Sequence, residues 1–202
     1  MSKSKYDAAF LDQHSMQPRP SPGVPNPTFS VLGHCIIDAP PAAVYDVLLD
    51  LPNYRNWNTF VSATMKQPAE GHAESTRMHT GARFEFKAKM KQTSDSRTTS
   101  KEVVTFTEAV RTATAQDPTP TTTARWGFDA GNIPLLKYLL QAEHVNELID
   151  LGDGRTEYVH WESFGGIVAT LIKWFSGDDL GRAFRNWSDE LKVYVENKQG
   201  RN

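Results

Sequence analysis

The octet "RFEFKAKM", Arg83–Met90, constrains the fold more than any other stretch. Phe84, Phe86, Ala88 and Met90 alternate strictly with Arg83, Glu85, Lys87 and Lys89. Successive strand side chains point to opposite faces, so the octet predicts a strand with one apolar and one charged face. Such a strand belongs to a sheet that buries one side. The rest of the chain must supply partner strands and a cover for the apolar side.

Partner strands are legible in "FSVLGHCII" (Phe29–Ile37), "TFVSATMK", "KEVVTFTEA", "ARWGFD", "AEHVNELIDL" and "EYVHWESF". In "ARWGFD", Ala124, Trp126 and Phe128 share a side. "GDGR" (Gly152–Arg155) joins the last two strands and has the residues that tolerate positive φ in a hairpin turn. "DPTPTTT" reads as a turn, and its threonine run (Thr119, Thr121–Thr123) as solvated loop. After the first strand, "DAPPAAVYDVLLDL" places Asp38 as a cap, Pro41 in the first turn and Val44, Val47, Leu48 and Leu51 at helical spacing. "NYRNWN" follows as a second short helix or turn.

The cover is at the C-terminus. Leu180, Phe184, Trp187, Leu191 and Tyr194/Val195 recur at three- and four-residue steps, a broad apolar stripe on a long helix. Asp178 and Asp179 suit its start. Gly177 and Gly181 suggest a break between it and a shorter helix, "IVATLIKWF". One helix is narrower than a curved sheet of six or seven strands, so a cavity is expected between them.

Composition narrows the function classes. The 202 residues are 39% apolar and 23% charged, with a formal net charge of −2. That fits one globular domain and offers no basic footprint for a nucleic acid. No apolar run approaches the roughly 18 residues of a membrane helix. One cysteine, Cys35, allows no internal disulfide and reads as apolar filler. The first residues lack the apolar core of a signal peptide, so the expected location is cytoplasmic. "QPRPSPGVPNP" (Gln17–Pro27) has five prolines in eleven residues, too many for a helix or central strand. Residues 1–28 are therefore expected to be a disordered Pro-rich tail, and 29–198 the single domain. No nucleophile elbow, P-loop or dinucleotide fingerprint occurs.

The order of elements, with four phrases, resembles the START-like (SRPBCC) superfamily and its helix-grip fold. The nearest branch is the polyketide cyclase/dehydrase and coenzyme-Q-binding group. The phrases are "IIDAPPAAVYDVLLDLPNYRNWN", "RFEFKAKM", "AEHVNELIDLGDGRTEYVHWESFGG" and "FRNWSDELKVYVE". The resemblance implies an α+β fold, a curved antiparallel sheet of six to seven strands wrapped around a long C-terminal helix. By analogy with the family hairpin, Tyr158 and Phe164 face the cavity, and by register so do His160 and Glu162. On the preceding strand His144, Asn146 and Leu148 share the inner face, and Asn146 stands where the family usually has an apolar residue.

Three readings of His144, Asn146, His160 and Glu162 stand open. They are a self-satisfied polar patch, a general acid–base group, and a metal site of two histidines and a carboxylate. The resemblance implies cofactor-free cyclisation, dehydration or isomerisation of a poly-β-ketone-like or aromatic small molecule, in secondary metabolism. His160 or Glu162 would take a proton, with His144 beside them, and His144 and Asn146 would hold the enolate oxygen. Substrate walls would be Tyr158, Phe164, Phe84, Phe86, Met90, Trp126, Phe128 and Trp187. The alternative is a carrier or receptor for a lipid, quinone or pigment. "NIPLLKYLLQ" reads as a surface helix or lid, hinged at Gly131 and Asn132.

Overall fold

The structure, a computed structural model, describes residues 4–89, 97–131 and 133–200. Seven strands form one antiparallel sheet: β1 (Phe29–Ile37), β2 (Val61–Gln67), β3 (Arg83–Ala88), β4 (Thr98–Thr107), β5 (Thr121–Phe128), β6 (Gln141–Asp150) and β7 (Thr156–Gly165). Their spatial order is β1-β7-β6-β5-β4-β3-β2. Every neighbour except β1 is joined in sequence order. β1 pairs instead with β7, and α2 (Pro41–Leu49) and a 3₁₀ helix (Leu51–Asn56) carry the chain across to β2 at the far edge. α3 (Pro134–Leu139) links β5 to β6, and α4 (Ile167–Gln199) lies along the sheet. This is the helix-grip architecture the element order predicts.

The alternation in β3 is realised. Phe84 and Phe86 are buried, while Arg83 and Lys87 are exposed. They join Tyr54, Trp57, Trp126, Trp187 and Leu191 in the main core between sheet and helix. Met90 and Asn132 lie outside the described residues. The "GDGR" hairpin places Gly152 and Gly154 at φ 73° and 85°, backbone that residues with a Cβ rarely adopt.

Four local expectations differ from the structure. The last helix is one continuous 33-residue rod, with Asp178 and Asp179 inside it. An interior glycine costs about 1 kcal/mol of helix propensity and does not by itself break a helix. Here Gly177 and Gly181 are buried, and a Cβ on either would stand 3.2 Å from the Met16 side chain. Asp38 is not the cap of α2, which starts after Pro40 with no side-chain cap; the Asp38 amide donates instead to Glu196. Thr121–Thr123 belong to β5, where Thr122 is fully buried and its Oγ1 accepts from the Arg111 amide.

The fourth difference is the N-terminal segment. Prolines exclude a helix or a ladder but not close packing of an extended chain, and from residue 4 the segment straps the outer face of the sheet. A six-residue helix, α1 (Ala8–Gln13), inserts Leu11 among Leu32, Val145, Ile149, Val159 and Trp161. The Tyr6 hydroxyl donates to Glu147 at 2.6 Å, and the Lys5 amide donates to Glu157 at 2.7 Å. Arg19 lies over the Tyr6 and Trp161 rings, and its carbonyl accepts from Ser163. The Gly23 amide donates to the buried Glu143 carboxylate at 2.7 Å. Strands β1, β6 and β7 are thus covered on both sides.

Candidate functional site

Between the sheet and α4 lies a cavity of about 370 Å³. Its apolar walls include Phe60, Phe86, Trp126, Phe128, Phe164, Leu180, Phe184 and Trp187. Its polar groups include Glu102 on β4, His144 on β6 and Glu162 on β7, with Thr98, Thr99, Ser100 and Ser176.

Strand pairing brings the titratable groups together. His144 sits opposite Glu162 on β7 and opposite Trp126 on β5, while Asn146 sits opposite His160. The two imidazoles meet on the diagonal, His144 Nε2 lying 2.9 Å from His160 Nδ1. His160 Nε2 lies 3.1 Å from the Phe184 carbonyl and 3.0 Å from Ser188 Oγ, both on α4.

These contacts fix both tautomers. A carbonyl can only accept, so His160 carries its proton on Nε2 and presents a bare Nδ1. That lone pair accepts from His144, whose proton is then on Nε2. His144 Nδ1 is left as a bare acceptor with no hydrogen-bond partner among the described residues, on a ring that lines the cavity. Burial holds His160 down to about 3 and His144 well below the usual histidine range. Both rings are neutral at physiological pH.

Gly33 makes this seat possible. It pairs with His160 on β1, and a Cβ there would stand 2.4 Å from the Phe184 carbonyl and 2.5 Å from His160 Nε2. Only a residue without a side chain lets α4 close on the ring.

The two carboxyls behave in the opposite sense. Burial pushes Glu102 up to about 7, with the Asp129 charge adding to the rise and the Ser100 hydroxyl, which donates to Glu102, opposing it. Burial, with the nearby Glu102 charge adding to it, pushes Glu162 up to about 8. Glu162 accepts no hydrogen bond and forms no ion pair among the described residues. Both carboxyls are proton donors near neutrality, and His144 offers a lone pair in the same chamber.

The structure gathers most of the residues read from the sequence. His144, Glu162, Phe164, Phe86, Trp126, Phe128 and Trp187 line the cavity. His160 stands behind His144. Tyr158 and Asn146 form a buried pair beyond it, the Tyr158 hydroxyl donating to Asn146 Oδ1 at 2.7 Å and Asn146 Nδ2 reaching the Ala124 carbonyl at 3.4 Å. Asn146 is thereby occupied, and neither it nor Tyr158 is among the cavity walls; Phe84 belongs to the core behind Phe86. The imidazoles bond to each other instead of converging on a common point, and no group of three potential metal ligands occurs among the described residues. Sequence reasoning missed Glu102. Its signal was weak: in "SKEVV" it shares a face with Ser100 and Val104, and a lone glutamate in a strand normally marks the wet face.

Comparison with known proteins agrees with this architecture. Residues 29–191 match the family model described as polyketide cyclase / dehydrase and lipid transport. The chain is 27% identical over 173 residues to a Penicillium oxalicum protein named oxopyrrolidines biosynthesis cluster protein O, covering 81% of this chain and 85% of that one. The ZhuI aromatase/cyclase from Streptomyces sp. R1128 superposes with a TM-score of 0.60 at 12% identity, over 84% of this chain and 94% of that one. A START superfamily protein from Mycobacterium smegmatis superposes with a TM-score of 0.56 at 11% identity, over 83% and 97%. No described helix is long and apolar enough to cross a membrane. With its START-like helix-grip fold and a match over most of its length, the chain belongs to the polyketide cyclase / dehydrase and lipid transport family.

Proposed function

We propose that the protein is an enzyme of secondary metabolism that binds a poly-β-carbonyl or aromatic small molecule in the helix–sheet cavity. It catalyses a cyclisation, dehydration or isomerisation that needs no cofactor. The observation that carries this reading is the pairing of one bare imidazole nitrogen with two protonatable carboxyls in a single aromatic chamber. A carrier needs only one or two orienting groups. The Penicillium relative, named for an oxopyrrolidine cluster, and the fold shared with an aromatase/cyclase support the metabolic setting.

In this mechanism the walls fold the substrate so that its reacting carbons meet, which can remove several kcal/mol of barrier. The Glu162 carboxyl donates to a substrate carbonyl oxygen and polarises it. His144 Nδ1 takes the proton from the adjacent carbon, and the enol carbon attacks a second carbonyl whose oxygen is protonated by Glu102. His144 is a weak base, so the reaction depends on the polarisation supplied by the carboxyls. His160 touches no substrate and acts as a positioning residue that holds the His144 tautomer.

The test is incubation of a synthetic poly-β-carbonyl thioester with the wild type, His144→Phe and Glu162→Gln, followed by mass analysis. A cyclised or dehydrated product from the wild type, reduced in both variants, is expected. Tight binding with no conversion in any of the three would make the protein a carrier.

A further inference from the structure

Among the described residues, the cavity walls carry two carboxyls and no cation. Glu102 and Glu162 reach it from β4 and β7, and no lysine or arginine is among its described walls. The described residues of the facing elements do not supply one either. Around the two glutamates they add His144, Ser100, Ser176 and, farther off, the Asp129 charge that raises Glu102. No cationic group figures among the influences on either carboxyl. Glu102 is buried, with one hydroxyl partner on one oxygen, and Glu162 has no hydrogen-bond or ion-pair partner among the described residues. Buried carboxyls are normally paired with a cation or fully hydrogen-bonded. Here His144 Nδ1 is itself an acceptor, and the other polar walls, Thr98, Thr99, Ser100 and Ser176, are uncharged. Among the described residues, the chamber lacks the positive half of its own chemistry.

We infer that the ligand carries that half: a basic nitrogen, held as an ammonium or iminium between Glu102 and Glu162, on an aromatic or polycarbonyl skeleton. The inference rests on the reading of this cavity as the ligand site and names the class of compound it takes. The aromatic walls suit a cation as well as a ring, because π faces attract positive charge, most strongly where water is excluded. A carboxylate or phosphate ligand would exchange its hydration for the hydroxyls of Thr98, Thr99, Ser100 and Ser176 and would meet no cation among the described walls. Free polyketide acids are therefore poor ligands. A cationic ligand draws one of the two carboxyls into its ionised form, where the ligand N–H takes over the part of hydrogen-bond donor, while the other keeps its proton, so binding releases a proton and strengthens as pH rises. Neutral ligands show no such dependence.

Three probes sharing one skeleton test this: 2-(2-naphthyl)ethylamine, 2-naphthylacetate and 2-ethylnaphthalene. Trp126 and Trp187 line the cavity, so intrinsic fluorescence reports occupancy, and calorimetry in two buffers reports the protons released. At pH 8 the amine is expected to bind about tenfold or more tighter than the neutral probe, and the acetate weakest. At pH 6 the amine's advantage shrinks. In the Glu102→Gln/Glu162→Gln double variant the advantage disappears while 2-ethylnaphthalene still binds, which also shows that the variant is folded. Equal binding of amine and neutral probe, tighter binding of the acetate, or an amine preference that survives in the double variant overturns the inference. If 2-ethylnaphthalene binds without any amine preference, the ligand class is wrong but the cavity stands as the proposed site. If no probe binds, both fall.

Discussion

His144 Nε2 donates to His160 Nδ1 across 2.9 Å, so His160 decides which nitrogen of His144 is bare. The order is enforced from outside the cavity, because the Phe184 carbonyl on α4 can only accept from His160. ¹⁵N NMR of labelled imidazoles should show both rings neutral and protonated on Nε2 at pH 7. His160→Phe removes the acceptor and should leave His144 as a tautomer mixture, lowering kcat while KM stays close to wild type. His144→Phe should lower kcat about 10²–10⁴-fold, the range for a lost general base.

The rate should fall on the alkaline side. Glu102 and Glu162 act as acids only while protonated, with values pushed up to about 7 and about 8. kcat/KM is expected to decline as pH rises through that window. In Glu162→Gln the amide keeps a hydrogen-bond donor but has no proton to transfer. Its lower rate should therefore lack the limb near pH 8. An unchanged alkaline limb in that variant would remove Glu162 from the mechanism.

Stability should depend on pH in the same region. The carboxyls hold their protons in the folded state at pH values where the unfolded chain, near 4.5, has released them. The folded state then binds more protons than the unfolded one, so their contribution falls as pH rises from about 4.5 to about 8. The histidines work oppositely. Their folded values lie below 6.5, so their contribution is full above 6.5 and is lost as pH falls towards about 3 for His160. Below 6.5 the two trends oppose each other. Between pH 6.5 and 8.5 the carboxyl trend stands alone, and Tm should drop. Glu102→Gln and Glu162→Gln should each raise Tm at pH 8 more than at pH 5.

Gly33→Ala should disturb the His144–His160 pair and, through Phe184, the cavity wall beside it. Its Cβ would collide with backbone at the Phe184 carbonyl, which cannot swing aside as a side chain can. Overpacking of this kind costs about 1–3 kcal/mol. Denaturant unfolding should register that loss, and the His160 tautomer signal should change with it.

The strap should prove part of the folded unit. Leu11 is buried in the outer cluster of Val145, Val159 and Trp161, and Leu11→Ala should cost about 2–5 kcal/mol. A change below about 0.5 kcal/mol in chemical denaturation would mean that the segment is detached in solution.

The inner half of this protein was legible because its physics is local. Alternation in Arg83–Met90 and the stripe from Leu180 to Val195 each declare a face, and the turn glycines declare a hairpin. The outer half was not. "EYVHWESF" shows no clean polar side because Val159 and Trp161 face the strap, a partner some 150 residues away in sequence. Proline density described the strap's backbone but not what it would touch. Within the site, register placed His144 and Glu162 on the inner face. It could not tell which imidazole reaches the cavity, because that is decided by Gly33 and α4. Glu102 escaped because only its neighbours in space distinguish a buried acid from a solvated one.

The placement of β1 has a kinetic consequence. Residues 29–37 find their ladder partner only at 156–165, and the strap that precedes them settles on the same late strands. During synthesis the first strand waits, unpaired and apolar, until β7 has emerged. Chains dominated by such distant pairings fold slowly and expose aggregation-prone edges meanwhile. The His144–His160 pair, which needs β1, β6, β7 and α4 in place together, is among the last features of the molecule to form.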